Sequence, residues 1–216
     1  WISHVTTGFG SALILIAIWL ILIMAADFNL KYFAIIGVIS VLLFTYAWFF
    51  FFEDYQRNRI LNFINPASNS LESGYNISQA IISIGSGGLT GKGVGFGSQS
   101  QLKFLPEAQN DFIFAVIAEE LGFLGVVLVL FFYFLLFFRV FRVIRKVNND
   151  FGIFFLIGAL GLIFIQMFIN IGMNLGILPV VGLSLPFISY GGSSLLSLMI
   201  IIGIVQNIII KSKTSY

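Results

Sequence analysis

No cysteine occurs in the chain, which excludes disulfides, iron–sulfur ligation and thiolate catalysis but leaves the compartment open. Charge is nearly as scarce: 9% of the 216 residues are charged, against about 25% in a soluble globular domain. The hydrophobic share is 59% and the mean hydropathy +1.04, which excludes an ordinary water-soluble fold. The net charge is only +2, and the basic residues form no patch large enough to grip nucleic-acid phosphates. The single histidine, His4, is assigned no role. The chain begins at Trp1 with no methionine and no positively charged leader, so it reads as the C-terminal part of a longer protein without a signal peptide.

What the chain does have is apolar runs, at 13–26, 30–52, 112–138, 151–171 and 195–210. With a few flanking residues each reaches the roughly 20 residues that cross a ~30 Å hydrocarbon layer as a helix. Barrel strands would instead be ~10 residues of alternating polarity. The sequence therefore predicts an all-α, polytopic membrane protein with five transmembrane helices, forming one membrane domain over 1–216. Arg139, Arg142, Arg145 and Lys146 crowd the link between the third and fourth runs, and Lys211 and Lys213 follow the fifth. Five spans put both clusters on one side, read as cytoplasmic by the positive-inside rule. The C-terminus then lies inside, and the segments 53–110 and 175–190 lie outside. Tyr46, Trp48 and the Phe49–Phe52 run suit an aromatic belt at the outer interface.

The 53–110 segment is too long for a plain connector. Ile77, Ala80, Ile81 and Ile84 recur at i, i+3, i+4, i+7, which predicts a short amphipathic helix over 76–84. GSGGLTGKGVGFG follows at 85–97, with seven glycines in thirteen positions. Such a stretch can turn tightly, or it can cradle an anion with backbone amides beside Lys92. It is not a phosphate-binding Walker loop, because Ser86 and Gly93 occupy two of the required positions.

Asp111 closes the outer segment where the third span begins, and Glu119 and Glu120 follow two to three turns deeper. Projected at 100° per residue, Asp111, Ala115, Ala118, Gly122 and Gly125 fall near one line, a small-residue face that another helix or a substrate can approach. Glu119 lies about 80° away, and Glu120 points opposite. Both must face protein or water, since an acid at mid-membrane depth costs about 2.5–3.5 kcal/mol. A bland alternative pairs them with a cation or amide from a helix missing from this chain, and makes Asp111 an N-cap. Gln166, Asn170 and Asn174 form a polar row at i, i+4, i+8 that must look inward. Pro179 and Pro186 break the helix after it, and Ser189–Ser194 supplies hydroxyls and glycines at the start of the last helix.

GSGGLTGKG, SQSQLKFLPEAQNDFIFAVIAEELGFLG and NIGMNLGILPVVGLSLPFISYGGSS resemble the signature stretches of the SEDS family (shape, elongation, division, sporulation), in order over most of the chain. EDYQRNRILNFINP and the stretch ending in GSQSQL are closer to its RodA branch than to FtsW. The resemblance implies the last five of ten spans in a bacterial cytoplasmic-membrane enzyme. That enzyme is a peptidoglycan glycosyltransferase polymerising lipid II at the outer face for elongation and shape. It implies partnership with a class B penicillin-binding protein and other cell-elongation membrane proteins. It puts the family's essential aspartate on Asp111, within 105–112. Gln109 and Asn110 stand where the family usually has His-Thr. Thr7-Gly8-Phe9-Gly10 stands where it usually has Pro-Asp-Leu-Gly, which removes an acidic residue.

Joining two sugars requires a base for the acceptor hydroxyl and a cation for the leaving diphosphate. Asp111, at the water–membrane boundary on a small-residue face, can be that base, and Lys92 in its glycine loop can meet the diphosphate together with a divalent cation such as Mg or Mn. Substrate contacts are expected from Gly91, Gly93, Glu107, Glu119, Glu120, Asn170, Ser189, Gly191 and Gly192. A flippase for a lipid-linked sugar and a non-catalytic scaffold of the wall-synthesis complex are the alternatives. In the flippase, Glu119, Glu120 and Asn170 would line the path.

Overall fold

The computed structural model describes residues 2–26, 30–50, 73–101, 104–105 and 107–214. Among the described residues seven helices make up the regular structure and no strand occurs. They are α1 (Ile2–Ala25), α2 (Leu30–Phe50), α3 (Ser73–Ser86), α4 (Ser98–Gln101), α5 (Ile113–Ile144), α6 (Asp150–Asn174) and α7 (Gly192–Thr214). Among the described residues α5, α6 and α7 are each long and apolar enough to cross a membrane. The chain is thus an all-α, multi-pass membrane protein. α1 and α2 are 24 and 21 residues long, with shorter described apolar stretches at 10–25 and 35–47. The aromatic positions Phe51 and Phe52, the EDYQRNRILNFINP stretch, and Glu53, Asp54, Arg57, Arg59, Glu72 and Lys103 lie outside the described residues.

α6 is the centre of the bundle. α1 packs on one side of it, where Ile14 and Ile169 share a buried cluster with Val181 and Leu183. α5 packs on another, through Phe114, Tyr133 and Ile163 with Leu185 and Leu198. α7 closes the far end through Leu156, Ala159, Val205 and Ile209 with Val140 and Val147. The five-residue link 145–149 makes α5 and α6 antiparallel, and Asn149 caps α6 by accepting from Phe151 N at 3.2 Å. Leu15, Val38, Leu42, Phe123, Phe131, Phe151 and Ile200 are all more than half exposed. A surface of that kind is stable against lipid tails or further helices, not water.

α6 ends by a Schellman turn: Ile177 N donates to Gly172 O at 2.8 Å and Gly176 N to Met173 O at 3.2 Å. The chain then runs irregularly from 177 to 191, back across the end of the bundle. α1 supports that run closely. A Cβ on Gly10 would lie 2.8 Å from Val181 O and 2.9 Å from Leu183 Cδ2, so no larger residue fits there without displacing backbone. Gly10 belongs to the Thr7–Gly10 stretch that departs from the SEDS pattern.

α3 covers the predicted amphipathic stretch and extends beyond it at both ends. Its apolar face meets α5: Ala80 is buried with Phe112, Ala115 and Leu105.

Candidate active site

α5 is not one continuous helix. Gly122 has φ 65° and ψ −163°, which interrupts the helix one-third of the way along. A break there orphans four main-chain groups in the apolar layer, where each would cost several kcal/mol. The glycine-rich segment supplies a partner for each of them. The amides of Phe123 and Leu124 would ordinarily donate to the carbonyls of Glu119 and Glu120. They donate instead to Gly88 O at 2.9 Å and Leu89 O at 3.1 Å. The freed carbonyls of Glu119 and Glu120 accept from Lys92 N at 3.0 Å and Gly93 N at 2.9 Å.

This corrects the helical projection made from sequence. Ala115, Ala118, Gly122 and Gly125 are all buried, as a small-residue face should be. At Ala118 and Gly122, however, the neighbour is the backbone of the glycine segment rather than a helix. A Cβ on Gly122 would lie 2.2 Å from Gly91 N, and one on Gly87 would lie 1.8 Å from Ala118 O. Gly91 is equally tight, with Glu120 O at 2.1 Å from its notional Cβ. Gly87 and Gly91, two of the seven glycines, are thus explained by main chain laid directly on main chain.

Glu119 is fully buried and takes three donors on Oε1: Lys92 Nζ at 3.0 Å, Gln99 N at 3.0 Å and Ser98 Oγ at 3.3 Å. The cation that sequence reasoning sought on a helix missing from the chain is Lys92, 27 residues earlier in the same chain. Lys92 Nζ also donates to Ser98 Oγ at 3.0 Å, and its side chain is 31% exposed. The glycine segment and α4 are therefore fastened to α5 by main-chain bonds and by this ion pair. Glu120 is only partly buried.

Asp111 sits at the end of a turn, 107–112, in which the amides of Asn110, Asp111 and Phe112 all point at Glu107 O, at 3.0, 3.1 and 3.4 Å. Glu107 has φ 53°, is exposed, and accepts from Asn110 Nδ2. The N-cap of α5 is Phe112, with no side-chain cap, so Asp111 does not serve as the helix cap. Its own carbonyl is held by two buried amides, Asn170 Nδ2 and Asn174 Nδ2, each at 3.0 Å. Asn170 Nδ2 also donates to Leu183 O at 2.7 Å, and Asn174 Nδ2 to Asn170 O at 2.8 Å. Asn174 Oδ1 accepts from Ala115 N at 3.2 Å. The inward polar row of α6 thus reads out as a clamp on the main chain of Asp111. Gln166, a turn earlier, has its Oε1 buried without a hydrogen bond among the described residues.

The irregular 177–191 run completes the site. Ser189 Oγ donates to Asn110 O at 2.7 Å and accepts from Leu185 N at 2.7 Å, while Tyr190 N donates to Gln109 O at 2.9 Å. A Cβ on Gly182 would lie 3.6 Å from Asp111 Oδ2, which makes Gly182 the residue whose small size leaves room beside the carboxylate. Gly191 O accepts from Leu195 N, and Gly192 opens α7. Asn170, Ser189 and Glu107 are therefore gathered around Asp111. Gly91, Lys92, Gly93, Glu119 and Glu120 form a second group at the α5 break, about 12 Å along the helix from Asp111 at 1.5 Å per residue. Sequence reasoning missed Gly182, Ser98 and Gln99 as neighbours of these carboxylates. Among the described residues no cluster of three His, Cys, Asp or Glu is placed to hold a metal ion.

The chain is similar to proteins named for peptidoglycan synthesis and sporulation. The profile of the FTSW_RODA_SPOVE family, described as cell cycle protein, matches residues 4–214. Peptidoglycan glycosyltransferase MrdB of Escherichia coli K12 is 46% identical over 177 residues, covering 81% of this chain and 48% of the relative. Stage V sporulation protein E of Bacillus subtilis 168 is 37% identical over 201 residues, covering 92% of this chain and 53% of the relative. A solved structure described as "Structural coordination of polymerization and crosslinking by a peptidoglycan synthase complex" superposes with a TM-score of 0.76 at 28% identity. It covers 94% of this chain and 56% of that one. The chain spans about half the length of the curated relatives it matches.

Proposed function

Because the chain belongs to the FtsW, RodA and SpoVE family, we propose that it carries the catalytic aspartate of a peptidoglycan glycosyltransferase that polymerises lipid II for cell elongation. The higher identity to MrdB than to the FtsW and sporulation relatives supports the elongation role. In this reading the acceptor sugar hydroxyl attacks the anomeric carbon of the donor. A C–O bond forms, the C–O bond to the lipid diphosphate breaks, and the hydroxyl proton passes to the Asp111 carboxylate. A diphosphate leaves readily once its charge is balanced, so one carboxylate suffices where glycoside hydrolysis generally employs two.

The observation that carries the reading is how Asp111 is held. Two buried asparagines fix its carbonyl, the adjacent turn is clamped by Ser189, and Gly182 keeps space beside Oδ2. A residue that merely ends a loop needs none of this, whereas a base must be fixed before substrate arrives. Lys92 already neutralises Glu119, and its ammonium has three donors of which Glu119 and Ser98 take two. The third can meet the leaving diphosphate, and a divalent cation such as Mg or Mn arriving with that diphosphate would supply further charge balance. That Glu119 is buried and paired favours the enzyme over a transport path through the same residues.

Five spans, a cytoplasmic C-terminus and residence in the bacterial cytoplasmic membrane belong to the same proposal. In support, Lys146 and Lys211, one from each basic cluster, line a single cavity at the end of the bundle remote from Asp111. A class B penicillin-binding protein is the proposed partner, supported by the likeness to a peptidoglycan synthase complex.

The test is Asp111→Asn in the full-length protein with lipid II as substrate. Polymer formation should fall to background while the melting temperature stays within a degree or so, since the main-chain clamp is untouched. Turnover at the level of the unchanged protein would remove Asp111 from the chemistry.

A further inference from the structure

At the end of the bundle opposite Asp111, the α5–α6 link and the last turns of α7 line an open cavity of about 500 Å³. Its polar lining comes from Lys146, Asn148, Asn149, Asn207, Lys211 and Ser212. Among the described residues no acidic side chain lines it; Asp150, which follows Asn149, begins α6 outside the lining. Along α7 the lining residues Ile204, then Asn207 and Ile208, then Lys211 and Ser212 follow one another at helical spacing on one face. That face grades from apolar to basic toward the helix end. The apolar part continues across the cavity through Val147 and Phe151.

Two ammoniums and two carboxamides above an apolar slot suit an amphipathic anion. The amides matter because they are not spent elsewhere: Asn148 and Asn207 make no side-chain hydrogen bond among the described residues, whereas Asn149 is used as the α6 cap. Two other cations of this end stack on aromatic rings. Arg142 lies over the Phe138 ring at 4.2 Å and Arg145 over Phe141 at 5.0 Å, both outside the cavity. Basic pockets between helix ends at a membrane surface are suited to phosphate head groups.

We propose that this cavity is a binding site for a phosphate monoanion, supplied by the head group of an anionic phospholipid or by free phosphate. Lys146 and Lys211 meet the charge, Asn148 and Asn207 donate hydrogen bonds, and in the lipid case an acyl chain lies along Ile204 and Ile208. The site is roughly 45 Å from Asp111, at 1.5 Å per residue of α5, so it stands or falls independently of the catalytic reading.

The experiment measures binding of fluorescent phosphatidylglycerol to the full-length protein in phosphatidylcholine nanodiscs, with Lys146→Ala/Lys211→Ala compared with Arg142→Ala. All three substituted side chains are exposed, so the variants should fold, which the melting temperature checks. Loss of two site lysines should weaken binding roughly tenfold or more, while Arg142→Ala, which removes a charge from the same end but outside the cavity, should change it less than twofold. Millimolar inorganic phosphate that fails to compete assigns the site to lipid, and full competition assigns it to free phosphate. An equal loss from Arg142→Ala would reduce the effect to diffuse surface charge and overturn the proposal, as would undiminished binding by the double variant.

Discussion

Lys92 and Glu119 are joined twice: Nζ meets Oε1 at 3.0 Å, and Lys92 N donates to Glu119 O at 3.0 Å. The side-chain bond thus locks a register that the main chain already sets. The two partners are unequally buried, Glu119 completely and Lys92 at 31% exposure, and that inequality makes a prediction. Lys92→Ala strands a buried carboxylate with Ser98 and Gln99 as donors, which should cost about 3–5 kcal/mol. Glu119→Gln leaves a lysine that can turn to water, so it should cost less, about 1–3 kcal/mol. The double variant Lys92→Met/Glu119→Gln should be more stable than Lys92→Ala. If Lys92 also meets the diphosphate, melting temperature recovers in the double variant while polymerisation does not. Additive melting temperatures would show that the pair does not fasten the segment.

Gly122 gives a second prediction, sharper than a small-residue face alone would. The obstacle is the Cβ itself, 2.2 Å from Gly91 N, at a φ of 65°. Gly122→Ala should therefore be nearly as damaging as Gly122→Leu. Backbone strain contributes about 1–3 kcal/mol and overpacking against main chain a further 1–3 kcal/mol or so. Leu124→Val, at a side chain 61% exposed, should change stability by less than about 0.5 kcal/mol. Melting temperatures in detergent decide it: a benign Gly122→Ala would mean that the glycine segment can leave the break at little cost.

The helices were legible because hydrophobicity and its period are local. The 76–84 stripe marked α3, and the apolar runs marked α5, α6 and α7. The inward direction of Asn170 and Asn174 was legible too, since polar groups in an apolar layer have nowhere else to turn. What they bind was not: their acceptor is a main-chain carbonyl, and every residue has one. The break at Gly122 was hidden for a related reason. A single glycine in an apolar run is tolerated in a helix, and the segment that fills this break lies about thirty residues earlier. Composition left open whether the glycine stretch only turns tightly or lies close to something, and to what. The pairing of Lys92 with Glu119 spans 27 residues, and neither periodicity nor spacing encodes a contact of that kind.

Asn174 offers the most direct test of how Asp111 is positioned. Its Nδ2 donates to Asp111 O and Asn170 O, and its Oδ1 accepts from Ala115 N. Asn174→Asp keeps the size and the acceptor but replaces the donor with a second oxygen facing the Asp111 carbonyl. The carbonyl retains Asn170 as a partner, but the substitution buries a carboxylate in place of an amide, so the loss of stability should be about 3–5 kcal/mol. The turn that carries the carboxylate should shift, and displacements of about an ångström at a reacting group cost up to a hundredfold in rate. kcat for lipid II polymerisation, measured well below the melting temperature, should fall on the order of tenfold to a hundredfold. KM should change little, because Asn174 is fully buried and reaches the substrate only through Asp111. A purely structural asparagine would lower the melting temperature and leave kcat alone. An Asn174→Asp protein with normal kcat would therefore detach the asparagine clamp from catalysis, even if Asp111→Asn proved inactive.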